Sequence, residues 1–441
     1  MINGGVSFWW QQLGRPAPRE ALDGDLDCDV CIVGGGLSGL WTAYALAGLD
    51  PTLDIVVLEA EFVGYGASGR NGGWLSAELS GSKERYAATH GREGVTALVT
   101  AMEHAVDDVV EVCRVEGIDA DVVKNGVLYV ARSPAQLARM REGLADDLAW
   151  GIGAEHQTEL TSDQVGERLR VDGALGGVLS PHCARVHPAK LVAGVAEAAE
   201  RRGVRILERT RVARIDPGVA TTDRGRVSAP RVLRCLEGYT ASLPGQRRSL
   251  LPMNSAMVVT EPLPDAVWDE IGWDGAELLG DSANAYCYAQ RTADGRIALG
   301  GRGIPYRFGS RTDVDGATDD WTVSSLTGIL HGMFPATRSA SVRPARCVVV
   351  SPLPTYPPAH PNPVDGSKLT LAHQSRGTPS TPHHAWSMRA ERAAGNIPCR
   401  MSVSDDTVQS WVCPSTSVRE PKRYGMPRPP RAMRPSAVRW A

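Results

Sequence analysis

Residues 29–59 read DVCIVGGGLSGLWTAYALAGLDPTLDIVVLE and organise the amino-terminal half of the chain. The apolar run Val30–Val33, bounded by glycine, is typical of a buried strand. Segment 40–49 is rich in alanine and leucine, carries no charge and ends at an Asp-Pro pair, which indicates a helix. A second apolar run, Ile55–Leu58, ends in Glu59. The predicted order is strand, glycine turn, helix, strand and acid.

The glycine turn fits the pattern G-x-G-x-x-G at Gly34, Gly36 and Gly39. The first glycine permits a tight turn, the second lets the backbone approach a pyrophosphate, and the third lets the helix lie close to the sheet. The helix amino terminus offers N–H donors and a positive dipole end to phosphate. A carboxylate twenty residues later accepts hydrogen bonds from a ribose diol and disfavours NADP. The predicted dinucleotide contacts are Gly34, Gly36, Leu37, Ser38, Gly39, Glu59 and Ala60.

Two other interpretations of this stretch are open. A lone G-x-G-x-x-G is a weak signal, and a glycine-rich loop in another kind of α/β unit would match it. Segment 31–49 also lacks charge, as a membrane span does. Its glycine cluster and its polar Ser38, Thr42 and Tyr44 argue against a lipid-facing helix.

A second glycine-rich loop follows the acid. Residues 64–73 read GYGASGRNGG, whose five glycines exclude a core helix and predict backbone close to a ligand. Ser68 and Asn71 are candidates to bond phosphate or ribitol oxygens, and Arg70 to offset phosphate charge. An ordinary flexible loop is the alternative. The candidates here are Ala67, Ser68, Gly69, Arg70, Asn71, Gly72 and Gly73.

Together, the fingerprint, Glu59 and the run GASGRNGG at 66–73 resemble the FAD-dependent D-amino-acid oxidase superfamily. More narrowly, they are similar to its branch of amine and glycine/sarcosine oxidases, which includes γ-glutamylputrescine oxidase-like proteins. The resemblance runs from about Ser7 to about Arg346. It implies FAD, since the second loop is what separates FAD from NAD.

The resemblance also implies a reaction and further contacts. An amine or amino acid would give a hydride to flavin N5, the imine would hydrolyse, and O2 would reoxidise the flavin. Val212 and Gly238 would border the cofactor, whereas Leu236 replaces the usual Ala or Thr and is expected to crowd it. The candidates for the substrate side are Tyr286, Tyr288, Arg302 and Tyr306. The alternative for Arg302 is a surface salt bridge, and the alternative for Tyr286 and Tyr288 is a position in the core.

The predicted fold class is α/β, with a Rossmann-like FAD-binding domain and an α+β substrate domain containing a mixed or antiparallel sheet. The FAD-binding domain is expected to be discontinuous, from 28–83 and 165–245. The substrate domain takes 84–164 and 246–346. An arm, 1–27, precedes both, and its aromatics at 8–10 are expected either to dock on a domain or to be loosely held.

Local signals predict several elements within these domains. Helices are expected at 93–117, from a cap at Ser133 to Trp150, and from 188 to 202. Thr161 with Gln164 predicts a further capping box. Segments 204–207 and 210–215 are predicted to return the chain to the parallel sheet. The Asp-Gly pair at 294–295 predicts a hairpin. Glu103 has like-charge neighbours on its helix, which favours a solvated face.

Composition narrows the class of protein. At 441 residues and a net charge of −3, the chain holds two or more domains and shows no basic run before its last third. We therefore expect no nucleic-acid partner, no membrane span and, without a signal peptide, a cytoplasmic location. The nine cysteines are scattered, and Cys28 and Cys31 are interpreted as buried thiols. No metal site is predicted, because His182 and His187 have no metal-type partners in the sequence. Both are expected either to face solvent or to cap a helix.

The composition changes beyond Arg346. Half of the 30 prolines lie there, phenylalanine is absent, and no helix or strand period survives. Such a segment buries too little apolar area to offset chain entropy, so residues 347–441 are predicted to be a disordered tail. The resembling family is expected to place a second glycine-rich turn against the flavin here. A frameshift near Arg346 and a genuine Pro/Arg-rich extension are the two hypotheses.

Three functions therefore compete at the level of sequence. An active amine oxidase would be yellow and would yield peroxide with an amine. A homologue that lacks the late flavin motif would bind FAD weakly or be inactive. An NAD-dependent dehydrogenase would bind a nicotinamide cofactor, against which the second glycine loop argues.

Overall fold

The computed structural model describes residues 6–251, 254–284, 286–301, 318–345 and 353–354. The candidates Arg302 and Tyr306 lie outside them, as does the predicted disordered tail apart from residues 353–354. The described α-helices are α1 (Phe8–Leu13), α2 (Leu37–Leu49), α3 (Lys83–Glu116), α4 (Pro134–Trp150), α5 (Ser162–Gly166), α6 (Pro188–Arg201), α7 (Asp265–Ile271) and α8 (Asp320–Met333). The first ten strands are β1 (Leu26–Asp27), β2 (Val30–Val33), β3 (Ile55–Leu58), β4 (Trp74–Ser76), β5 (Val127–Ala131), β6 (Thr158–Thr161), β7 (Gly176–Ser180), β8 (Cys183–Arg185), β9 (Arg205–Leu207) and β10 (Val212–Asp216). The others are β11 (Val219–Thr222), β12 (Arg226–Ser228), β13 (Arg231–Arg234), β14 (Leu250–Leu251), β15 (Ala256–Thr260), β16 (Leu278–Asp281), β17 (Cys287–Arg291), β18 (Ile297–Gly301), β19 (Val342–Ala345) and β20 (Leu353–Pro354).

Four parallel strands carry the glycine fingerprint, in the order β13-β2-β3-β9. Every residue of β2 and β3 is buried, as their unbroken apolar runs predict for strands covered on both faces. α2 and α6 bury Leu40 and Val195 in the same core as this sheet. Strands from before residue 59 and after residue 204 thus form one sheet, and the predicted α/β fold class is confirmed.

The chain after β9 differs from the prediction. Segment 210–215 was expected to return to the parallel sheet, but β10 pairs antiparallel with β11 in a separate sheet of order β1-β12-β11-β10. Gly218 lies between the two strands with φ +75°, and this left-handed turn reverses the chain into a hairpin. The apolar pattern of a short strand does not specify which sheet it joins.

The second large sheet has eight strands in the order β19-β15-β18-β17-β16-β5-β7-β6. Its pairs are antiparallel except for β16 with β5, so the predicted mixed sheet is confirmed. The predicted hairpin is also present, since Thr292 and Arg296 close a turn around Gly295 at φ +75°. The hydrophobic core packed against the eight-stranded sheet includes Leu128, Val258, Leu299 and Trp273.

Helix α3 is longer than predicted and is bent at Gly91, whose φ of +68° is not helical. Ser82 caps its amino end and Gly117, in the left-handed region, ends it. The expected solvated face is wrong at Glu103, which is 8% exposed beside the core residue Val106. The predicted caps at Ser133 and at Thr161 with Gln164 are confirmed.

The amino-terminal arm docks on the parallel-sheet unit. Trp9 and Trp10 of α1 are 1% and 3% exposed, which decides against a loosely held terminus. His187 caps α6 by accepting a hydrogen bond from Lys190 N. Helix capping is one of the two roles expected for it. No helix in the described part of the chain is long and apolar enough to cross a membrane.

Candidate functional site

The three fingerprint glycines lie where a side chain would collide with the backbone or with the second loop. A Cβ at Gly34, which has φ +116°, would lie 2.4 Å from Cys235 O. At Gly39 it would lie 2.2 Å from Gly34 O, and at Gly36 it would lie 2.8 Å from Ser68 Oγ. The glycines therefore permit the tight turn and close helix packing that the sequence predicts.

The amino terminus of α2 faces the second glycine loop. Ser68 Oγ accepts a hydrogen bond from Leu37 N at 2.9 Å, and the first turn, which includes Ser38, contains no acidic residue. The positive end of the helix dipole is therefore not neutralised by the helix itself. This is the arrangement that receives a phosphate group in dinucleotide folds.

Glu59 lies directly after β3, next to the glycine turn. Its carboxylate accepts hydrogen bonds from Gly35 N at 2.8 Å and Glu61 N at 3.0 Å. Burial raises the pKa of Glu59, the two backbone donors oppose that shift, and the carboxylates of Glu208 and Glu61 add to it. Two carboxylate oxygens have lone pairs for more than two donors, so the group can still accept a hydroxyl hydrogen.

The second loop, 64–73, is built largely from bonds within itself. Asn71 Nδ2 donates to Ala67 O and Ser68 O at 3.2 and 3.0 Å, and Asn71 Oδ1 accepts from Gly73 N at 2.8 Å. Arg70 is fully buried, donates from Nε to Tyr65 O, and stacks at 4.3 Å on the Tyr65 ring. Both side chains shape the loop, and Gly69 ends its short 3-10 turn.

Side chains behind this loop hold its backbone in place. Trp9 Nε1 donates to Asn71 O at 2.8 Å, and Trp10 Nε1 donates to Gly64 O at 3.2 Å. From the other sheet, Gln290 Nε2 donates to Gly72 O at 2.6 Å. These supports were not predicted as site residues. The sequence does not show which segment the tryptophans dock on, and Gln290 lies over two hundred residues from the loop.

A third segment closes the rim of the fingerprint. Thr210 N donates to Glu59 O at 2.8 Å, which places Val212 near the end of β3. Gly238 is buried in a 3-10 turn, and Leu236 Cδ2 lies 3.5 Å from the Cβ position of Gly34. Glu237 has φ +46°, and burial raises its pKa to about 7. Ala60 follows Glu59 at the same sheet edge. We call Gly34–Gly39, Glu59 and loop 64–73 the cradle.

An aromatic cluster adjoins the cradle on the side of the eight-stranded sheet. Trp74, one residue after the loop, lies 6.0 Å from Tyr288 and 6.2 Å from Tyr129 between ring centroids. A Cβ on Gly72 would lie 2.6 Å from the Tyr288 ring. Trp74 Nε1 is buried without a hydrogen-bond partner in the described part of the chain. We call Trp74, Tyr129 and Tyr288 the aromatic wall.

The wall is edged by polar groups. Tyr288 Oη lies 3.0 Å from Ser255 Oγ, and Tyr129 Oη donates to Glu78 at 3.0 Å. Burial, with the Glu78 carboxylate as a smaller cause, raises the pKa of Tyr129, so its hydroxyl stays neutral. Tyr286 is 44% exposed and precedes β17, so only Tyr288 of the predicted pair is in the wall. Trp74 and Tyr129 were missed, because neither stands in a motif.

Comparisons with known proteins agree with this geometry. The family model described as "DAO: FAD dependent oxidoreductase" matches residues 29–387, past the expected end of the resemblance at Arg346. The Escherichia coli K12 protein "Gamma-glutamylputrescine oxidoreductase" is 30% identical over 324 residues, covering 70% of this chain and 72% of that protein. A Rhizobium meliloti protein named "Probable oxidoreductase OrdL" is 28% identical over 309 residues, covering 68% and 70%.

Solved structures show the same fold. The glycine oxidase from Geobacillus kaustophilus superposes with a TM-score of 0.58 at 22% identity, covering 72% of this chain and 83% of that one. The cradle fits the cofactor of the family, since the bare glycine turn, the helix terminus and the acid after β3 are all in place. FAD dependence also decides against the nicotinamide alternative. The chain belongs to the DAO family of FAD-dependent oxidoreductases.

Proposed function

We propose that this protein oxidises a C–N bond of an amine or amino acid and passes the electrons to O2. The support is the position of the aromatic wall, which begins one residue after the cradle loop at Trp74 and so adjoins the cofactor site. When bound, FAD supplies the hydride acceptor, its N5 atom. The carbon loses a hydride, its nitrogen loses a proton, and water hydrolyses the resulting imine to a carbonyl product and an amine.

The cradle residues hold the cofactor in this proposal. Gly36, Leu37, Ser38 and Gly39 would bring backbone at the amino end of α2 within reach of the diphosphate. Glu59 would accept the ribose hydroxyls, and the backbone at Ala60 and Val212 would border the adenosine half. Loop residues 67–73 and Gly238 border the rest. Because the side chains of Arg70 and Asn71 form hydrogen bonds within the loop, their proposed role is to shape it.

The aromatic wall orients the substrate and excludes water. Aromatic faces bury the carbon skeleton, and the Trp74 indole N–H is available to a carboxylate or carbonyl oxygen of the substrate. Glu78, exposed at the end of the wall, attracts an ammonium group from solvent. An acyl-amine of the γ-glutamylputrescine class, which the similar Escherichia coli protein carries in its name, has both an oxygen acceptor and an ammonium. We therefore place polyamine derivatives first among candidate substrates.

A flavin absorption scan and a peroxide assay test this function. The full chain is purified, its FAD-to-protein ratio is measured, and hydrogen peroxide is followed with γ-glutamylputrescine, putrescine, sarcosine and glycine. We expect a yellow protein, peroxide that requires an amine, and the highest kcat/KM with the first substrate. A yellow protein that none of these amines reduces under anaerobic conditions would contradict the proposal.

A second candidate, a homologue that binds FAD weakly, is favoured by one observation. Leu236 lies against Gly34, and the neighbouring Glu237 is an exposed residue with φ +46°. When ionised, its carboxylate at the cradle rim repels a diphosphate. This candidate predicts a folded, colourless protein that takes up FAD only at high concentration, which the same absorption scan distinguishes from an active oxidase.

A further inference from the structure

Three possible metal ligands meet away from the cradle. Glu103 lies in the middle of α3, His156 follows α4, and His182 stands in the turn between β7 and β8. One donor atom of each side chain lies within 4.8 Å of the donors of the other two. His182 has no metal-type partner near it in the sequence, and the fold brings two to it from distant segments.

The distances suit a compact ion. Glu103 Oε1 lies 2.5 Å from His156 Nδ1 and 3.6 Å from His182 Nε2. Two ligands on a tetrahedral Zn²⁺ at bond lengths near 2.0 Å are about 3.3 Å apart. The observed atoms bracket that separation, so small side-chain movements would bring them to it. Two imidazoles and one carboxylate are a donor set that zinc accepts, with a fourth position for water.

A cation would also compensate the negative charge of Glu103. This carboxylate is 8% exposed, and a buried anion is costly unless a positive group compensates it. Within the described ranges, the ion pairs of Glu103 involve only the two histidines, and no lysine or arginine reaches it. A divalent ion between the three groups supplies the compensating positive charge.

An outer carboxylate is already in place. Glu155 Oε1 lies 3.4 Å from His156 Nε2, the ring nitrogen on the far side from Glu103. Metal-bound histidines commonly donate their second N–H to a carboxylate, which orients the ring and raises its basicity. The structure therefore contains both the ligands and one element of the supporting shell.

We propose that Glu103, His156 and His182 bind one Zn²⁺-class ion that cross-links α3, the α4–β6 loop and the β7–β8 turn. The ion replaces the hydrogen bond between His182 Nε2 and Glu155 O, which lie 3.2 Å apart. His182 O also accepts from Ala77 N, so the ion fixes the turn beside the strand that carries Trp74. Its role is to stabilise the fold, and it takes no part in hydride transfer.

Zinc titration of the full chain tests the site. The purification tag is removed, bound metal is stripped with a chelator, and Zn²⁺ binding is measured by competition with a chromophoric chelator and by elemental analysis. We expect one zinc per chain and a Tm that rises with zinc concentration, because the ion binds the folded state. His156→Ala, His182→Ala and the isosteric Glu103→Gln should each weaken binding by about 100-fold, and Glu155→Gln by about 10-fold.

His104→Ala is the matched control, since His104 is exposed on α3 next to Glu103 and should leave zinc binding unchanged. Glu103→Gln keeps its shape, so the proposal stays testable if a histidine variant misfolds. Substoichiometric zinc in the wild type, or equal affinities in the wild type and Glu103→Gln, would overturn the site. Loss of zinc binding in His104→Ala would also overturn it.

Discussion

The cradle and the aromatic wall adjoin at residues 73 and 74, yet they are built in different ways. The cradle uses backbone: glycines without side chains, a helix terminus and one carboxylate, all between residues 34 and 73. The wall uses side chains from β4, β5 and β17, which lie far apart in the chain. A requirement of backbone conformation constrains residue types at fixed spacings in the sequence. A cluster of aromatic rings from distant strands imposes no such spacing.

In the proposed function, this difference separates binding the cofactor from choosing the substrate. Changes in the cradle act on backbone geometry and should abolish FAD binding. Changes in the wall should alter kcat/KM while FAD content stays constant. Trp9 and His187 belong to neither region. Their rings pack at 4.9 Å, and Trp9 holds the cradle loop by donating to Asn71 O.

The largest expected effect is that of Gly39→Ala. A Cβ 2.2 Å from Gly34 O has no room, and the neighbouring atom is backbone that cannot rotate away. Overpacking of about 3 kcal/mol or more should lower FAD affinity by about 100-fold or more. Titration of the stripped protein with FAD, followed by flavin fluorescence, measures the change.

Gly143→Ala is the matched control for that substitution. Gly143 lies on the exposed side of α4 with nothing near its Cβ position, so alanine should stabilise the helix by about 0.5–1 kcal/mol. Its FAD affinity should equal that of the wild type. Equal affinities in Gly39→Ala and Gly143→Ala would break the distinction between the two regions.

The stability of the support behind the cradle loop should respond to pH through His187. Burial lowers the pKa of His187 from 6.5 to about 4, and its Nδ1 must stay unprotonated to accept from Lys190 N. The unfolded chain takes up the proton below pH 6.5 and the folded chain only near pH 4, so the free energy of unfolding falls as pH falls through this window.

His187→Asn isolates this effect, because asparagine can cap α6 but does not titrate. Between pH 7 and pH 4 the wild type should lose about 3 kcal/mol more of unfolding free energy than the variant. Urea unfolding at a series of pH values measures both curves. Parallel curves would show that His187 does not couple proton binding to folding.

The smallest expected effect is that of Trp74→Phe. The variant keeps an aromatic ring in the wall but removes the buried N–H that we assign to the substrate. Loss of one hydrogen bond of about 1–1.5 kcal/mol should lower kcat/KM by about 10-fold. The FAD-to-protein ratio should not change, which steady-state kinetics and the absorption spectrum together establish.

Trp321→Phe serves as its control, because Trp321 is 70% exposed on α8 and should leave both quantities unchanged. A fall in FAD content in Trp74→Phe would move Trp74 from the wall to the cradle. A fall in kcat/KM in Trp321→Phe would show that the effect is not specific to the wall.

Much of the fold was predictable from local patterns. The strands and helix around the fingerprint, the caps at Ser133 and Thr161, and the hairpin at Gly295 each depend on residues close in sequence. The predictions for β10 and for Glu103 were wrong, because sheet membership and burial depend on which distant segments pack nearby. Most wall residues and the Glu103 cluster were missed for the same reason.

The sequence by itself indicated a dinucleotide cofactor, because a tight turn, a helix terminus and an acid must stand at set intervals along one short stretch of backbone, and the resemblance of the second loop implied FAD. Only the tertiary structure decided which rings lie beside the cradle and which histidines approach Glu103. Those groups lie 26 to 214 residues apart, and their proximity is set by the packing of whole sheets and helices. Local conformational requirements can be read along a chain, whereas long-range contacts depend on how the complete core is filled.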